Sequence, residues 1–390
     1  MAITSNALQF LLHLIERAVC AFLDVLARSL SILDVASAWT FEVLCGGLGV
    51  QPCGTAKPEH GAVLVLGAQE GLGRSLALKF SEQGYTVFAF CPFRHEEAGR
   101  AADAHASGHV APPNMSSLLY MWHNRKERSR PLPWGLIAPM SLDVFSRSQR
   151  ERAHETVKAY CDDHALALVA LIVCPIPERS RNSPSKLFLH SLIRKPLPAH
   201  QTYDVFEDTW RKCVLAGITE PTLVAYDYTG LLRKAFGRVI VVSSGSGVFD
   251  LSFPIQDARA AVVENLRDNL QPFGVHVSAV VTGPLASTQI ETRGSKNESS
   301  QLEFCLDDRD MAAAINRMTK VQQINQRITD RLRVSEDRVV SVIQRAVESP
   351  HPQFSYYIGA QPIVRCIYMK MPIFMRTAIQ HVLYRVASLS

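Results

Sequence analysis

The stretch Ala62-Val-Leu-Val-Leu-Gly-Ala-Gln-Glu-Gly-Leu-Gly73 joins an apolar run to three closely spaced glycines. This order predicts a buried strand that enters a helix through a glycine turn. Gly67 permits the tight exit from the strand, and Gly71 lets backbone amides approach a pyrophosphate. Gly73 allows the helix to lie close to the sheet, and the N-terminus of that helix favours an anion. The stretch therefore predicts a dinucleotide-binding turn.

Apolar runs bounded by turn residues recur along the chain, with helical patterns between them. They predict strands at 62–68, 86–90, 135–140, 166–173, 238–243 and 275–281. The helical patterns fall at 72–83, 147–162, 205–234 and 255–270. Alternating strands and helices favour a parallel sheet with helices on both faces, and right-handed crossovers make it doubly wound. The predicted fold class is α/β, a Rossmann-like doubly wound parallel sheet with amphipathic helices at both ends of the chain.

The composition divides the chain into three parts. Residues 1–55 are predicted to form an amphipathic helical segment, residues 60–360 the Rossmann-like domain, and residues 361–390 a basic amphipathic tail. Stretches near 94–133 and 177–201 do not fit the alternation and are interpreted as insertions. The basic run at 124–130 is interpreted as a solvated loop, because neither an aromatic platform nor a nucleic-acid motif accompanies it.

Both ends of the chain have the composition of helices that lie on a membrane. Residues 8–44 are dense in apolar residues, and charges interrupt them near helical spacing. The tail has no acidic residue after Glu348 and alternates basic and apolar blocks, and Pro372 is expected to break it into two helices. The alternatives are a helical hairpin packed on the domain or on a second copy, and a core helix with solvated basic side chains. No stretch reaches the roughly 18 apolar residues of a membrane-spanning helix.

The overall composition argues against several classes of protein. A net charge of +5 is too small to indicate a nucleic-acid binder, so no nucleic-acid partner is predicted. The nine cysteines are scattered without a Cys-x-x-Cys pair or a His/Cys cluster. Neither a metal site nor a disulfide framework is therefore predicted, and a reducing compartment is favoured.

The glycine pattern Gly-x-x-x-Gly-x-Gly resembles that of the short-chain dehydrogenase/reductase family. In that family an Asp-Val after the third strand contacts the adenine, a Ser ends the fifth strand, and a Pro-Gly follows the sixth. This sequence has Asp143-Val144, Ser244 and, in part, Thr282-Gly283-Pro284 at those places. The resemblance implies the catalytic residue Ser244 and the cofactor-binding residues Gly67, Gly71, Gly73, Arg94, Asp143, Val144 and Gly283.

The end of the domain is also similar to the family, in particular to its steroid- and retinol-type members. The similar segments are Val340–Pro350, Phe354–Gly359 and Met371-Pro372. The resemblance covers residues 61–375 and leaves the first sixty residues unexplained. It extends to a poorly characterised fungal branch of degenerate members, some of which are associated with mitochondria.

The family's catalytic pair, a Tyr and a Lys four residues later, has no counterpart here. No Tyr occurs between Tyr228 and Tyr356, and no Lys between Lys234 and Lys296. In the family the Tyr is the general acid/base and the Lys lowers its pKa. The resemblance therefore implies a scaffold that has lost its proton donor.

Neither of two alignments restores the pair. One places Ser252 and Gln256 at the two positions, and the other places Ile255 and Arg259 there. Arg259 would supply the charge of the Lys, yet a guanidinium without a phenol transfers no proton. The two tyrosines on the preceding helix, Tyr226 and Tyr228, are interpreted as packing residues.

The identity of the cofactor stays open at this level. The second strand ends without an acidic residue to hold a ribose, which disfavours NAD, and Arg94 favours the 2′-phosphate of NADP. Glu70 opposes both, because a carboxylate inside the turn repels a dinucleotide. The sequence thus predicts NADP or NAD, with a turn that has lost its cofactor as the alternative.

These observations favour a membrane-associated, catalytically impaired short-chain dehydrogenase-like protein that binds a nucleotide or a lipid or serves as a scaffold. An active NADP-dependent oxidoreductase that acts on a hydrophobic carbonyl or alcohol is the alternative. The predicted partners are a membrane surface, a small apolar ligand and a second copy of the chain. The predicted location is the cytosolic face of an intracellular membrane, either the mitochondrial outer membrane or the endoplasmic reticulum.

Overall fold

The predicted strands and helices are present in a computed structural model of the chain. The structure describes residues 52–54, 57–69, 71–92, 113–128, 133–174, 214–244, 254–286 and 330–389, together with residues 21, 22, 25, 29, 40, 43, 44 and 211. The strands are β1 (Gly61–Leu66), β2 (Thr86–Pro92), β3 (Ile137–Leu142), β4 (Ala167–Val173), β5 (Arg238–Ser244), β6 (His276–Thr282) and β7 (Ser355–Ile358). The helices are α1 (Gly71–Glu82), α2 (Pro113–Arg128), α3 (Arg147–Asp163), α4 (Glu220–Lys234), α5 (Pro254–Leu270), α6 (Glu336–Glu348), α7 (Ala360–Lys370) and α8 (Ile373–Leu389).

The strands form one parallel sheet in the order β3-β2-β1-β4-β5-β6-β7. The chain builds outward from β1 in one direction and then restarts beside β1 with β4. This reversal of direction is the topological switch point of a doubly wound sheet, and ligands bind at the carboxyl ends of the strands there. The predicted fold class, a Rossmann-like doubly wound parallel sheet, is confirmed.

Helices cover both faces of this sheet. One face is packed by α1, α2 and α6 and the other by α3, α4 and α5. The central strand explains why, because every residue of β1 is buried. A strand that is buried on both faces reads as a continuous apolar run, which is why β1 was recognisable in the sequence. The large side chains Phe88 and Phe90 of β2 are also fully buried, and each such burial contributes about 1.5–3 kcal/mol.

The interpretation of 94–133 as an insertion with a basic loop is wrong for its second half. Helix α2 occupies Pro113–Arg128 and is the crossover between β2 and β3. It docks through buried Leu118 and through Trp122, whose Nε1 donates to Ser81 Oγ at 2.8 Å. The basic residues of 124–128 therefore lie on the exposed last turn of a helix. The second predicted insertion, 177–201, lies outside the described residues.

The remaining predicted helices are described completely, in part or hardly at all. The break at Pro372 is confirmed, because α7 ends at Lys370 and α8 begins at Ile373. The helix predicted at 205–234 is described only in part: a π-helical turn spans Leu215–Thr219, and α4 follows it. Most of the segment 1–55 lies outside the described residues, although residues 21, 22, 25, 29, 40, 43 and 44 are helical as predicted.

Candidate functional site

The predicted glycine turn lies at the switch point, between β1 and α1. The N–H groups of Gly67 and Ala68 both donate to the carbonyl oxygen of Phe90, at 2.9 and 3.1 Å. Gly67 has φ +85° and Gly71 has φ +56°, the left-handed region in which glycine is favoured. A Cβ on Gly73 would lie 2.1 Å from the carbonyl oxygen of Gly67. The close approach of helix to strand that the sequence predicted is therefore present.

The start of α1 is suited to an anion. The helix has 12 residues and carries no acidic residue in its first turn. Its first N–H groups have no partner within the helix and carry the positive end of the helix dipole, so a phosphate is favoured there. Glu70, which the sequence analysis expects to oppose a dinucleotide, lies outside the described residues.

The predicted adenine-contacting pair, Asp143 and Val144, follows β3 at the same edge of the sheet. Asp143 Oδ1 accepts the N–H of Phe145 at 3.0 Å. The carbonyl oxygen of Val144 accepts a hydrogen bond of 2.7 Å from Arg150 Nη1. Arg150 Nε in turn donates to Asp227 Oδ2 at 2.7 Å. The turn is thus fixed by α3 and α4, and Val144 is part of the core, 2% exposed.

The ends of β5 and β6 lie side by side at the same edge of the sheet. Ser244 is paired with Thr282, and the N–H of Gly283 donates to the carbonyl oxygen of Ile358 at 2.8 Å. The side chain of Ser244 and the whole of Arg94 lie outside what the structure describes. Their predicted roles, catalysis for Ser244 and selection of NADP for Arg94, therefore stay predictions.

Of the two tyrosines of α4, both interpreted from the sequence as packing residues, Tyr228 is one and Tyr226 is not. Tyr228 is 2% exposed and packs beside the rings of Phe90 and His154, with centroids 6.0 and 5.3 Å away. Burial raises the pKa of its phenol far above the ordinary value. Tyr226 lies on the surface, where its hydroxyl accepts a hydrogen bond of 3.0 Å from Asn269 Nδ2.

Arg259 of α5, one of the residues that the alignments place at the position of the Lys, is buried at the carboxyl edge. It lies in the field of Glu220, the first residue of α4, and of Cys174, which follows β4. The three residues are 8%, 4% and 3% exposed. Burial lowers the pKa of the Arg259 guanidinium, and the charge of Glu220 opposes this shift. The edge thus contains a buried acid–base pair, Arg259 and Glu220.

Burial dominates the titration of the other two groups. It raises the pKa of the Glu220 carboxyl to about 7, against the opposing charge of Arg259. It also raises the pKa of the Cys174 thiol to about 12, so the thiol is protonated at neutral pH. Glu220 is not recognisable from the sequence, because it falls inside the helix predicted over 205–234 and its burial depends on tertiary packing.

Comparison with known proteins finds similarity to solved structures, without a match to a family model or to a curated protein. The chain is similar in structure to a metagenomic short-chain oxidoreductase in complex with NADP, at 12% identity and a TM-score of 0.44, covering 77% of this chain and 96% of that chain. A short-chain dehydrogenase from Streptomyces avermitilis is similar at 15% identity and a TM-score of 0.45, covering 84% of this chain and 97% of that one.

These solved structures are short-chain dehydrogenases. At these identities the likeness concerns the fold alone, so the residue roles considered below rest on the geometry of this chain. The resemblance to a fungal branch stays a prediction.

The described residues fit the dinucleotide that the resemblance implies. Buried polar atoms at the carboxyl edge have no hydrogen-bond partner in the part of the chain that the structure describes: Gln69 Oε1, Arg259 Nε, Thr282 Oγ1 and both amide atoms of Gln361. These residues follow β1, lie on α5, end β6 and follow β7, respectively. Unpaired buried polar atoms also occur elsewhere among the described residues, so these atoms show that the edge offers hydrogen-bonding groups to a polar ligand.

Proposed function

We propose that this chain is a membrane-associated, catalytically impaired short-chain dehydrogenase-like protein that binds a nicotinamide dinucleotide and acts as a sensor or scaffold. One observation carries the proposal. The carboxyl edge keeps a turn that admits no side chain at Gly73, while the nearby buried pair is Arg259 and Glu220 instead of a Tyr and a Lys. Binding is thereby retained without the phenol that the family uses.

The impairment follows from the loss of the family's phenol; Glu220, whose carboxyl has a pKa of about 7, is the one titratable group considered below as its replacement. A bound dinucleotide supplies a hydride donor or acceptor, and the protein must exchange a proton with the substrate oxygen. Arg259 cannot, because a guanidinium stays protonated. Cys174 is buried with a pKa of about 12, and Tyr228 lies in the core. A small apolar ligand, such as a lipid, would then be bound without being converted.

The membrane part of the proposal is supported by exposed apolar side chains at both ends of the chain. Phe22, Val25 and Leu44 are 65%, 62% and 61% exposed in the first segment, and Ile373 and Phe374 are 73% and 69% exposed in α8. None of the helices among the described residues is long and apolar enough to cross a bilayer. The proposal places the protein on the cytosolic face of the mitochondrial outer membrane or the endoplasmic reticulum.

Binding of the dinucleotide is tested by the melting temperature of the full chain with NADPH, NADH and neither, because a ligand that binds only the folded state stabilises it. Gly71→Asp places a carboxylate at the start of α1 and is expected to weaken NADPH binding at least tenfold. Gly230→Asp is the matched control, since nothing lies within 4 Å of a Cβ at that position. The absence of any shift in the wild-type protein, or equal shifts in the two variants, would contradict the proposal.

A second function is favoured by Glu220. Its carboxyl has a pKa of about 7 at the edge where a substrate would bind, and general acid–base catalysis is most efficient when the pKa lies near the working pH. An active NADP-dependent oxidoreductase would use this carboxyl in place of the phenol. The oxidation of NADPH in the presence of a panel of apolar aldehydes and ketones tests this function. Activity that titrates near pH 7 and disappears in Glu220→Gln would support the active oxidoreductase and contradict the impaired protein.

A further inference from the structure

The exposed side of α8 is unusually apolar. Ile373, Phe374 and Val382 are 73%, 69% and 60% exposed. With the exposed residues between them they lie at helical spacing along one side, and we name this side the docking face: Ile373, Phe374, Thr377, Ala378, His381 and Val382. A helix on the surface of a soluble domain normally turns polar residues outward. The docking face is therefore suited to an apolar partner.

The charged residues of the segment that carries the docking face have a single sign. No acidic residue follows Glu348, so residues 349–390 contain only basic charges. Lys370, at the end of α7, is exposed close to the start of the docking face, and Ile367 on the same helix is 44% exposed. A second copy of this surface would bring the same positive charge against it. An anionic lipid surface complements both its apolar residues and its charge.

The geometry of the two last helices allows one of them to leave the domain surface. Helix α7 begins two residues after β7 and is anchored there, with Ala360 and Gln361 5% and 1% exposed. The chain then breaks at Pro372. The α8 helix thus starts from a fixed point and presents Ile373 and Phe374 at its first turn.

We propose that α8 lies in the headgroup region of a membrane rich in anionic phospholipids, with the docking face turned to the acyl chains and Lys370 among the phosphates. This rests on the membrane association proposed above and specifies its surface and its lipid chemistry. An interfacial helix of this kind buries its apolar side about 5–10 Å deep. Burial of Phe374 and the phosphate contacts of Lys370 then both strengthen the binding of α8 to the membrane.

Co-sedimentation of the full chain with vesicles tests the proposal. We expect binding to phosphatidylcholine vesicles that contain phosphatidylserine, and at least tenfold weaker binding to pure phosphatidylcholine. Phe374→Glu should weaken the binding to the mixed vesicles at least tenfold and Lys370→Glu severalfold. Tyr120→Glu on α2 is the matched control, because Tyr120 is 70% exposed, and it should bind as the wild type does. Equal binding by Phe374→Glu and Tyr120→Glu would overturn the proposal.

A second measurement separates α8 from the other end of the chain, which carries exposed apolar residues of its own. Tryptophan is introduced in Phe374→Trp and, as the control, in Tyr120→Trp, and both are mixed with vesicles that contain brominated phosphatidylserine. We expect additional quenching only in Phe374→Trp. Equal quenching in bound protein would overturn the proposal, as would a dimer in sedimentation velocity that Phe374→Glu dissociates, since the docking face would then contact a second copy. Neither readout depends on NADPH, so the dinucleotide proposal can fail independently.

Discussion

Single glycines determine whether α1 can approach the sheet. Gly73→Ala would place a methyl group 2.1 Å from the carbonyl oxygen of Gly67, so the helix must move away from β1. We expect the free energy of unfolding to fall by about 1–3 kcal/mol, the usual cost of overpacking that forces a backbone shift. In Gly230→Ala the added methyl group meets nothing, and the change should stabilise α4 by about 0.5–1 kcal/mol. Urea unfolding of the two variants measures the difference, and similar values would contradict the packing described.

The buried Arg238 at the start of β5 gives a second test at this scale. Its guanidinium donates to the carbonyl oxygens of Ala346, Ser349 and Gly54, at 2.9, 2.7 and 2.9 Å. Arg238→Leu leaves these oxygens without their donor, and each unsatisfied buried group costs about 1–3 kcal/mol. We expect a loss of at least about 3 kcal/mol by urea unfolding. Arg147→Leu, at an exposed position of α3, is the control and should leave the stability close to that of the wild type. A small loss in Arg238→Leu would show that the three contacts are dispensable.

At the scale of elements, α2 shows which parts of the fold a sequence reveals. The strands β1, β2, β4, β5 and β6 were predicted within two residues, because a strand buried on both faces has an unbroken apolar run. For helix α2 the sequence pattern predicts a loop, since only a narrow side of the helix is buried and its last turn is basic. Its helical state depends on docking to β3, which local sequence does not encode.

The contact between α2 and α1 gives a separate prediction. Ser81 Oγ accepts from Trp122 Nε1 at 2.8 Å and donates to the carbonyl oxygen of Gly135 at 2.7 Å. Ser81→Ala removes both bonds inside the core and should destabilise the protein by about 1–3 kcal/mol. Amide exchange in α2 should accelerate more than exchange in α3. Ser148→Ala, at an exposed site, is the control, and unchanged exchange in Ser81→Ala would mean that α2 is held by other contacts.

Only the part of the candidate site that depends on local backbone geometry could be predicted from the sequence. The positions of Gly67, Gly71 and Gly73 follow from local geometry, so the motif located them. The burial of Arg259 and Glu220 depends on how α4 and α5 pack at the edge of the sheet. Residues that are more than thirty positions apart acquire their pKa values from that packing alone.

On the scale of the whole molecule, two buried groups give opposite pH dependences. Burial raises the pKa of Glu220 from 4.5 to about 7, so the folded protein binds more protons and its stability falls as the pH rises through this range. Burial lowers the pKa of His276 from 6.5 to about 4, so stability falls as the pH drops through that range. Each shift corresponds to about 3 kcal/mol by linkage. The two effects oppose each other between about pH 4.5 and 6.5.

Removal of one of the two titrating groups should reveal the pH dependence that the other gives to the stability. In Glu220→Gln the His276 effect is unopposed, so we expect stability to fall more steeply from pH 6.5 to 4.5 than in the wild type. Urea unfolding at a series of pH values measures both slopes. Glu155→Gln, an exposed position on α3, should keep the wild-type slope. Parallel curves for Glu220→Gln and the wild type would mean that the Glu220 carboxyl is not perturbed as described.

The central claim is that this fold binds a nicotinamide dinucleotide and lacks the group that would complete hydride transfer. The most direct test is the fluorescence of NADPH mixed with the full chain, followed over time as apolar aldehydes and ketones are added. We predict enhanced emission on mixing, which reports binding, and then no decay beyond that of NADPH alone. Either unchanged emission on mixing or a protein-dependent decay with any of the carbonyl compounds would contradict the account.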